Sequence, residues 1–204
     1  MLMQEFIISL MGRFGYPGIF FLITVENLFP PIPSEVILTM GGFLTTCTSM
    51  NVTGVILFST LGSLLGAIIL YYIGKLLNKE RLLRLASGKA GRLLHLNAAD
   101  IENAADWFEK KGCKAVFFCR LVPILRSLIS VPAGMSGMGQ VKFLLYTTAG
   151  SLLWNTVLVI LGSLLGESWM LIAVLLERYS HITKIVLAIS ALSAIVYFYR
   201  KKRS

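Results

Sequence analysis

The stretch TGVILFSTLGSLLGAIILYYI, Thr53 to Ile73, is twenty-one residues long and carries no charge. As a helix rising about 1.5 Å per residue it would cover roughly 32 Å, the thickness of a bilayer's hydrocarbon core. It ends in Tyr71 and Tyr72, followed by Lys75 and Lys79, the aromatic-then-basic order of a membrane–water interface. Two further runs read the same way. Phe143 to Gly166 is uncharged between Lys142 and Glu167, and Ile185 to Tyr199 lies between Lys184 and the terminal Arg200-Lys201-Lys202-Arg203. The last run is short, but Lys184 can reach its ammonium toward the headgroups. Transmembrane helices are therefore predicted over 53–73, 143–166 and 185–199.

Composition agrees. Of 204 residues, 56% are hydrophobic and 14% charged, where a soluble domain carries about 25% charged residues. The apolar fraction excludes disorder, and the length suits one membrane domain over 1–204. Nineteen basic and ten acidic residues leave a net charge of +9. In a lipid-embedded chain that balance reflects orientation and anionic headgroups, not nucleic acid. The three cysteines, Cys47, Cys113 and Cys119, form no paired motif, so neither a disulfide framework, a metal site nor a cofactor is expected. Residues 1–13 place their only basic residue, Arg13, after the apolar run. They read as an amphipathic N-terminal helix, not a cleavable leader.

Two other apolar regions are broken. Residues 14–46 contain Pro30, Pro31, Pro33 and Gly41-Gly42, and residues 115–140 contain Pro123, Pro132, Gly134, Gly137 and Gly139. The longer pieces that these prolines leave are 8 to 16 residues long, too short to cross alone, so both regions are expected to be re-entrant helical hairpins whose prolines and glycines serve the architecture. Irregular backbone at membrane depth survives only when buried in protein or facing a wet cavity. Between them, residues 75–114 hold nine basic and five acidic residues interleaved with leucines. This reads as amphipathic helices on the cytoplasmic face, with Asn97 capping a helix that ends near Gly112. The positive-inside rule then puts the C-terminus in the cytoplasm, the first hairpin on the outer side and the second on the inner side.

Thr60–Gly74 can be laid over Thr148–Gly162 with seven identities in fifteen, among them Gly62/Gly150 and Gly74/Gly162. Each half reads broken hairpin then span, and the two spans would run in opposite directions. The expected fold is thus all-α and polytopic, an inverted repeat of the kind transporters use to bind substrate near the bilayer midplane.

Four charges sit inside apolar sequence: Glu26, Glu35, Arg120 and Arg126. A central charge costs about 2.5–3.5 kcal/mol on insertion scales, so these need partners or water. Arg120-Leu-Val-Pro123-Ile-Leu-Arg126 could line one face of a cavity, and guanidinium forms bidentate hydrogen bonds to phosphate. Glu26 and Glu35 would balance the arginines or exchange protons. The plainer account is a salt-bridge network pinning the hairpins together, and Glu35 could simply favour a helix start. His95 and His181 are isolated, and no His/Asp/Glu cluster has metal-ligand spacing, so no catalytic residue is assigned.

The same residues carry a family likeness. Glu26-Asn-Leu-Phe-Pro30-Pro31-Ile-Pro33-Ser34-Glu35 and Phe118-Cys119-Arg120-Leu-Val-Pro123-Ile-Leu-Arg126-Ser-Leu-Ile-Ser-Val-Pro132-Ala-Gly134 resemble the two signatures of the DedA family, in order and at the family's separation. The resemblance covers nearly the whole chain. It implies a bacterial cytoplasmic-membrane protein related to eukaryotic VTT-domain scramblases, with two opposed hairpins and a lipid cargo. It maps the family's acidic and arginine positions onto Glu26, Glu35, Arg120 and Arg126. Many members carry an acid after the small-residue motif of the first span; here Gly66 is followed by Ala67, which leaves any proton coupling to Glu26 and Glu35.

The function expected is a flippase returning undecaprenyl phosphate for reuse as the cell-envelope carrier. Its phosphate would be held by Arg120 and Arg126, with protons as a candidate coupling ion. The alternatives are a phosphatidylethanolamine flippase or scramblase, a non-transporting assembly factor and a lipid phosphatase. Partners are limited to a membrane lipid, protons and, as an open option, a second copy of the chain.

Overall fold

The computed structural model describes residues 9–29, 34–77, 98–123 and 125–166, and every regular element among them is helical. The elements are α1 (Tyr16–Leu28), α2 (Ser34–Cys47), α3 (Val52–Leu76), α4 (Ala98–Cys119), α5 (Leu125–Leu128), α6 (Ser130–Met135) and α7 (Gln140–Leu165). The run predicted as a span at 185–199 lies outside the described residues, as do residues 1–8, Pro30, Pro31, Pro33, Asn97 and most of the basic stretch after Leu77.

Two described helices, α3 with 25 residues and α7 with 26, are long and apolar enough to cross a bilayer. α3 runs three residues past its uncharged run and α7 starts three residues before its own, because Lys75 and Lys142 are exposed in those end turns and need not stop a helix. Asn51 fixes the start of α3, its side-chain oxygen accepting a hydrogen bond from the Gly54 N–H at 2.6 Å. The two helices are inverted relative to soluble ones. Leu57, Leu61, Leu65, Ile69 and Ile73 form an exposed stripe at four-residue spacing on α3, while its buried face carries Ser59, Thr60, Gly62, Ser63 and Gly66. Apolar side chains outward and small or polar ones inward suit a lipid solvent.

The broken regions give short helices. With 13 and 14 residues, α1 and α2 measure roughly 20 Å each, too short to span. Ahead of α1, residues 9–14 are helical and Met11 is fully buried. Gly15, at φ 57, breaks that piece from α1, whose first turn holds Pro17.

One boundary differs from expectation. The helix expected to end near Gly112 continues to Cys119, so it runs through the division drawn between a cytoplasmic segment 75–114 and a hairpin 115–140. A glycine ends a helix by taking a left-handed conformation. Gly112 does not; the described glycines at positive φ are Gly15, Gly137 and Gly166. Gly112 instead gives room to the Phe108 ring.

Packing is reciprocal. α1 and α6 lie on α3, α2 and α4 lie on α7, and α3 also meets α7. Glycines make each close approach possible. A Cβ on Gly62 would strike the Phe20 carbonyl of α1, and one on Gly150 the Phe117 carbonyl of α4. Likewise Gly74 abuts the Val131 carbonyl of α6, and Gly162 the Thr39 carbonyl of α2. In the reverse sense, Gly42 abuts the Val159 carbonyl and Gly134 that of Tyr71. Gly66 faces Asn27 and Thr24, so Gly62 and Gly66 both serve the α1–α3 contact, whereas Gly166 caps α7 at φ 49 in open space.

Candidate functional site

Glu26 stands near the end of α1, Glu35 at the start of α2, Arg120 just after α4 and Arg126 within α5. All four therefore lie at the breaks of the two interrupted regions. All are buried, with residual exposures of 5%, 3%, 1% and 2%. They are also close together: Glu35, Arg120 and Arg126 all act electrostatically on the Glu26 carboxyl group. The cluster sits beside Thr60 and Ser63, halfway along α3, and Asn155, past the middle of α7, and hence at mid-depth of the two long helices.

Arg126 donates from Nη2 to Glu26 Oε2 at 3.3 Å and to Ser63 Oγ at 3.4 Å. Arg120 makes no ion pair among the described residues. Its Nη2 donates to Ser130 Oγ at 2.8 Å and Thr147 Oγ1 at 3.4 Å, and its guanidinium lies 6.0 Å from the centre of the Phe143 ring. Phe143 is in turn stacked on Tyr71 at 4.6 Å, and the Tyr71 hydroxyl donates to the Met138 carbonyl. A cation–π contact attracts a guanidinium without using its N–H groups.

Nε and Nη1 of Arg120 and Nη1 of Arg126 are buried and have no hydrogen-bond partner among the described residues. An unmatched buried donor costs about 1–3 kcal/mol, more when charged. Two arginines face two carboxylates, so the cluster is formally balanced, but its three unused guanidinium nitrogens are hydrogen-bond donors waiting at membrane depth. Such a site suits an oxyanion with several acceptor oxygens.

Of the residues expected to shape the breaks, Pro123 is buried, Gly134 is pressed against the backbone of α3, and Pro132 is exposed on α6. Among the described residues no group of His, Cys, Asp and Glu could hold a metal ion. The sequence pattern does not mark out Ser63, Ser130, Thr147 or Asn155, because hydroxyl and amide side chains are common in apolar helices. One signal is visible afterwards: Asn155 is the only amide or charged side chain in the run 143–166.

The fold and this cluster define a class: a helical membrane protein whose long helices enclose a buried arginine-rich site formed by broken helices. The VTT domain family model matches residues 32–164, and the chain belongs to that family, which includes the DedA proteins. It is 51% identical over 200 residues to an alkaline phosphatase-like protein of Lactococcus lactis, covering 98% of this chain and 94% of the relative. It is 38% identical to undecaprenyl phosphate transporter A of Staphylococcus aureus, covering 98% of this chain and 99% of that one. The Bacillus subtilis protein of the same name is 29% identical, with 97% and 94% covered. No solved structure matches the chain. Membership makes this a bacterial membrane protein.

Proposed function

We propose that the protein is a lipid transporter that carries undecaprenyl phosphate between the leaflets of the cytoplasmic membrane, its phosphate held by Arg120 and Arg126. The observation that carries this reading is the set of three buried guanidinium nitrogens without hydrogen-bond partners among the described residues, gathered where two broken helices meet. They match the terminal oxygens of a phosphate in number and charge. The full-length likeness to proteins named undecaprenyl phosphate transporter A supports the cargo. The polyprenyl tail would stay in lipid, so only the head needs shelter.

In this reading, residues 14–46 and 115–140 are opposed re-entrant hairpins in an inverted repeat. The matched glycine contacts support it: Gly150 and Gly162 follow Gly62 and Gly74 by the same 88 residues, and each pair meets a carbonyl of the corresponding arm. Two similar halves that can exchange roles give alternating access from either face. Glu26 occupies Arg126 when no phosphate is bound and yields it when one arrives; a proton taken up by Glu26 or Glu35 would couple that exchange to the proton gradient. The third span over 185–199, a cytoplasmic C-terminus and the segment assignments belong to the same reading.

The test is inward flux in vesicles carrying undecaprenyl phosphate, followed as protection from an external phosphatase. Arg120→Gln is the informative variant, because among the described residues Arg120 has no carboxylate ion-pair partner whose charge would be stranded. Flux should fall more than tenfold while the protein remains monodisperse; flux at the unsubstituted rate would defeat the arginine assignment. A phosphatidylethanolamine cargo is favoured by the two carboxylates beside the arginines, and the same vesicles with a labelled lipid distinguish it. The name of the Lactococcus lactis relatives points to phosphate ester hydrolysis. Release of inorganic phosphate from undecaprenyl phosphate by the purified protein would establish that reading instead.

A further inference from the structure

Asn155 is an amide in the apolar body of α7, and it is fully buried. Burying an amide among apolar helices is costly unless its hydrogen bonds are made. Its Nδ2 donates across to α3, to Thr60 Oγ1 at 3.3 Å and Ser63 Oγ at 3.4 Å. Its Oδ1 has no partner among the described residues.

Packing does not demand an amide at this position. The offset of 88 that relates Gly62 to Gly150 and Gly74 to Gly162 relates Ala67 to Asn155. Ala67 is equally buried, and it packs in a hydrophobic cluster with Tyr71, Ala133 and Phe143. One half of the molecule thus fills this depth with a methyl group and the other with an amide.

Ser63 makes the difference intelligible. A serine oxygen offers two acceptor lone pairs. In Ser63 one is taken by Nη2 of Arg126 at 3.4 Å and the other by Nδ2 of Asn155 at 3.4 Å. The amide therefore fixes the rotamer of the hydroxyl that receives Arg126. With Nη2 held between Glu26 and Ser63, the plane of the guanidinium is set, and Nη1 is the nitrogen without a partner among the described residues.

We propose that Asn155 is a positioning residue of the headgroup site, acting through Ser63 to orient Arg126 for a phosphate. This rests on Arg126 binding the lipid phosphate, as argued above. Asn155 is neutral for a reason: a carboxylate there would draw the guanidinium to itself and compete with the ligand.

The test is a cycle of Asn155→Ala, Ser63→Ala and the double variant in full-length protein, in vesicles holding undecaprenyl phosphate at varied density. Each single change should raise the lipid density needed for half-maximal flux about tenfold, Ser63→Ala by removing and Asn155→Ala by misorienting the hydroxyl that accepts from the charged Arg126, with maximal flux little changed. The double variant should match the Ser63→Ala single, because Asn155 has nothing to orient once Ser63 is gone. Asn155→Asp should be worse than Asn155→Ala. Additive effects in the cycle, or a loss confined to maximal flux, would overturn the proposal in favour of plain packing. If Asn155→Ala does not insert, Asn155→Ser, which keeps a hydroxyl donor toward Ser63, serves in its place and should act less strongly. Arg126→Gln is the separate arm: an unchanged half-maximal density there defeats the phosphate assignment and this proposal with it. A raised density in Arg126→Gln beside an unchanged one in Asn155→Ala defeats the proposal alone.

Discussion

Replacing Gly162 by alanine tests whether α2 and α7 meet backbone to backbone. The new methyl would overlap the Thr39 carbonyl oxygen and lie 2.6 Å from its carbon and 2.8 Å from the Thr39 Cα. No side chain can swing aside, so α2 must move off α7 by roughly 1 Å, enough to forfeit a quarter to a half of each dispersion contact across that surface. Overpacking of this kind costs about 1–3 kcal/mol, and a rigid backbone neighbour argues for the upper end. Alanine returns up to about 1 kcal/mol of helix propensity, leaving a net loss near 2 kcal/mol. For a chain of this size that lowers the melting temperature by about 4–8 °C. The assay is thermal unfolding in detergent. Gly12→Ala is the control, since nothing lies within 4 Å of a Cβ there, and it should unfold no earlier than the unsubstituted protein. Gly74→Ala should resemble Gly162→Ala, because it drives a methyl into Val131 in the corresponding place. Equal melting temperatures for Gly162→Ala and Gly12→Ala would refute the close approach.

Two further outcomes follow from particular contacts. Glu26→Gln leaves the Arg126 guanidinium buried without its carboxylate and should cost about 3–5 kcal/mol. Undecaprenyl phosphate should then raise its melting temperature more than that of the unsubstituted protein, because the ligand supplies the missing anion; equal shifts would separate Glu26 from the phosphate site. Asn51→Ala removes the cap on Gly54 and should destabilise α3 by about 1 kcal/mol without changing flux; an unchanged melting temperature would show the cap to be idle.

The spans at 53–73 and 143–166 were legible because uninterrupted apolar runs of that length have few other uses, and α3 and α7 contain them almost entirely. The four stray charges were legible for the converse reason: ionised groups in apolar sequence are costly, so Glu26, Glu35, Arg120 and Arg126 stand out wherever they are placed. What the pattern could not convey is partnership. Nothing in the string shows that Arg126 meets Glu26 while Arg120 meets hydroxyls and an aromatic ring; that depends on which arm packs against which long helix. Asn155 and Ser63 were illegible because a neutral polar side chain acquires meaning only from its neighbours. The course of α4 past Gly112 was misread because a glycine punctuates a helix only where its backbone turns left-handed, and here it makes room for Phe108.

The account stands most directly on where a bound phosphate sits. A structure of the protein with undecaprenyl phosphate should show the phosphate oxygens within hydrogen-bonding distance of Arg120 Nε and Nη1 and Arg126 Nη1, between the breaks after Glu26 and Arg120, with the Glu26–Arg126 pair loosened. A phosphate held instead at the surface lysines, such as Lys75 or Lys142, with all three guanidinium nitrogens still unpaired, would contradict it.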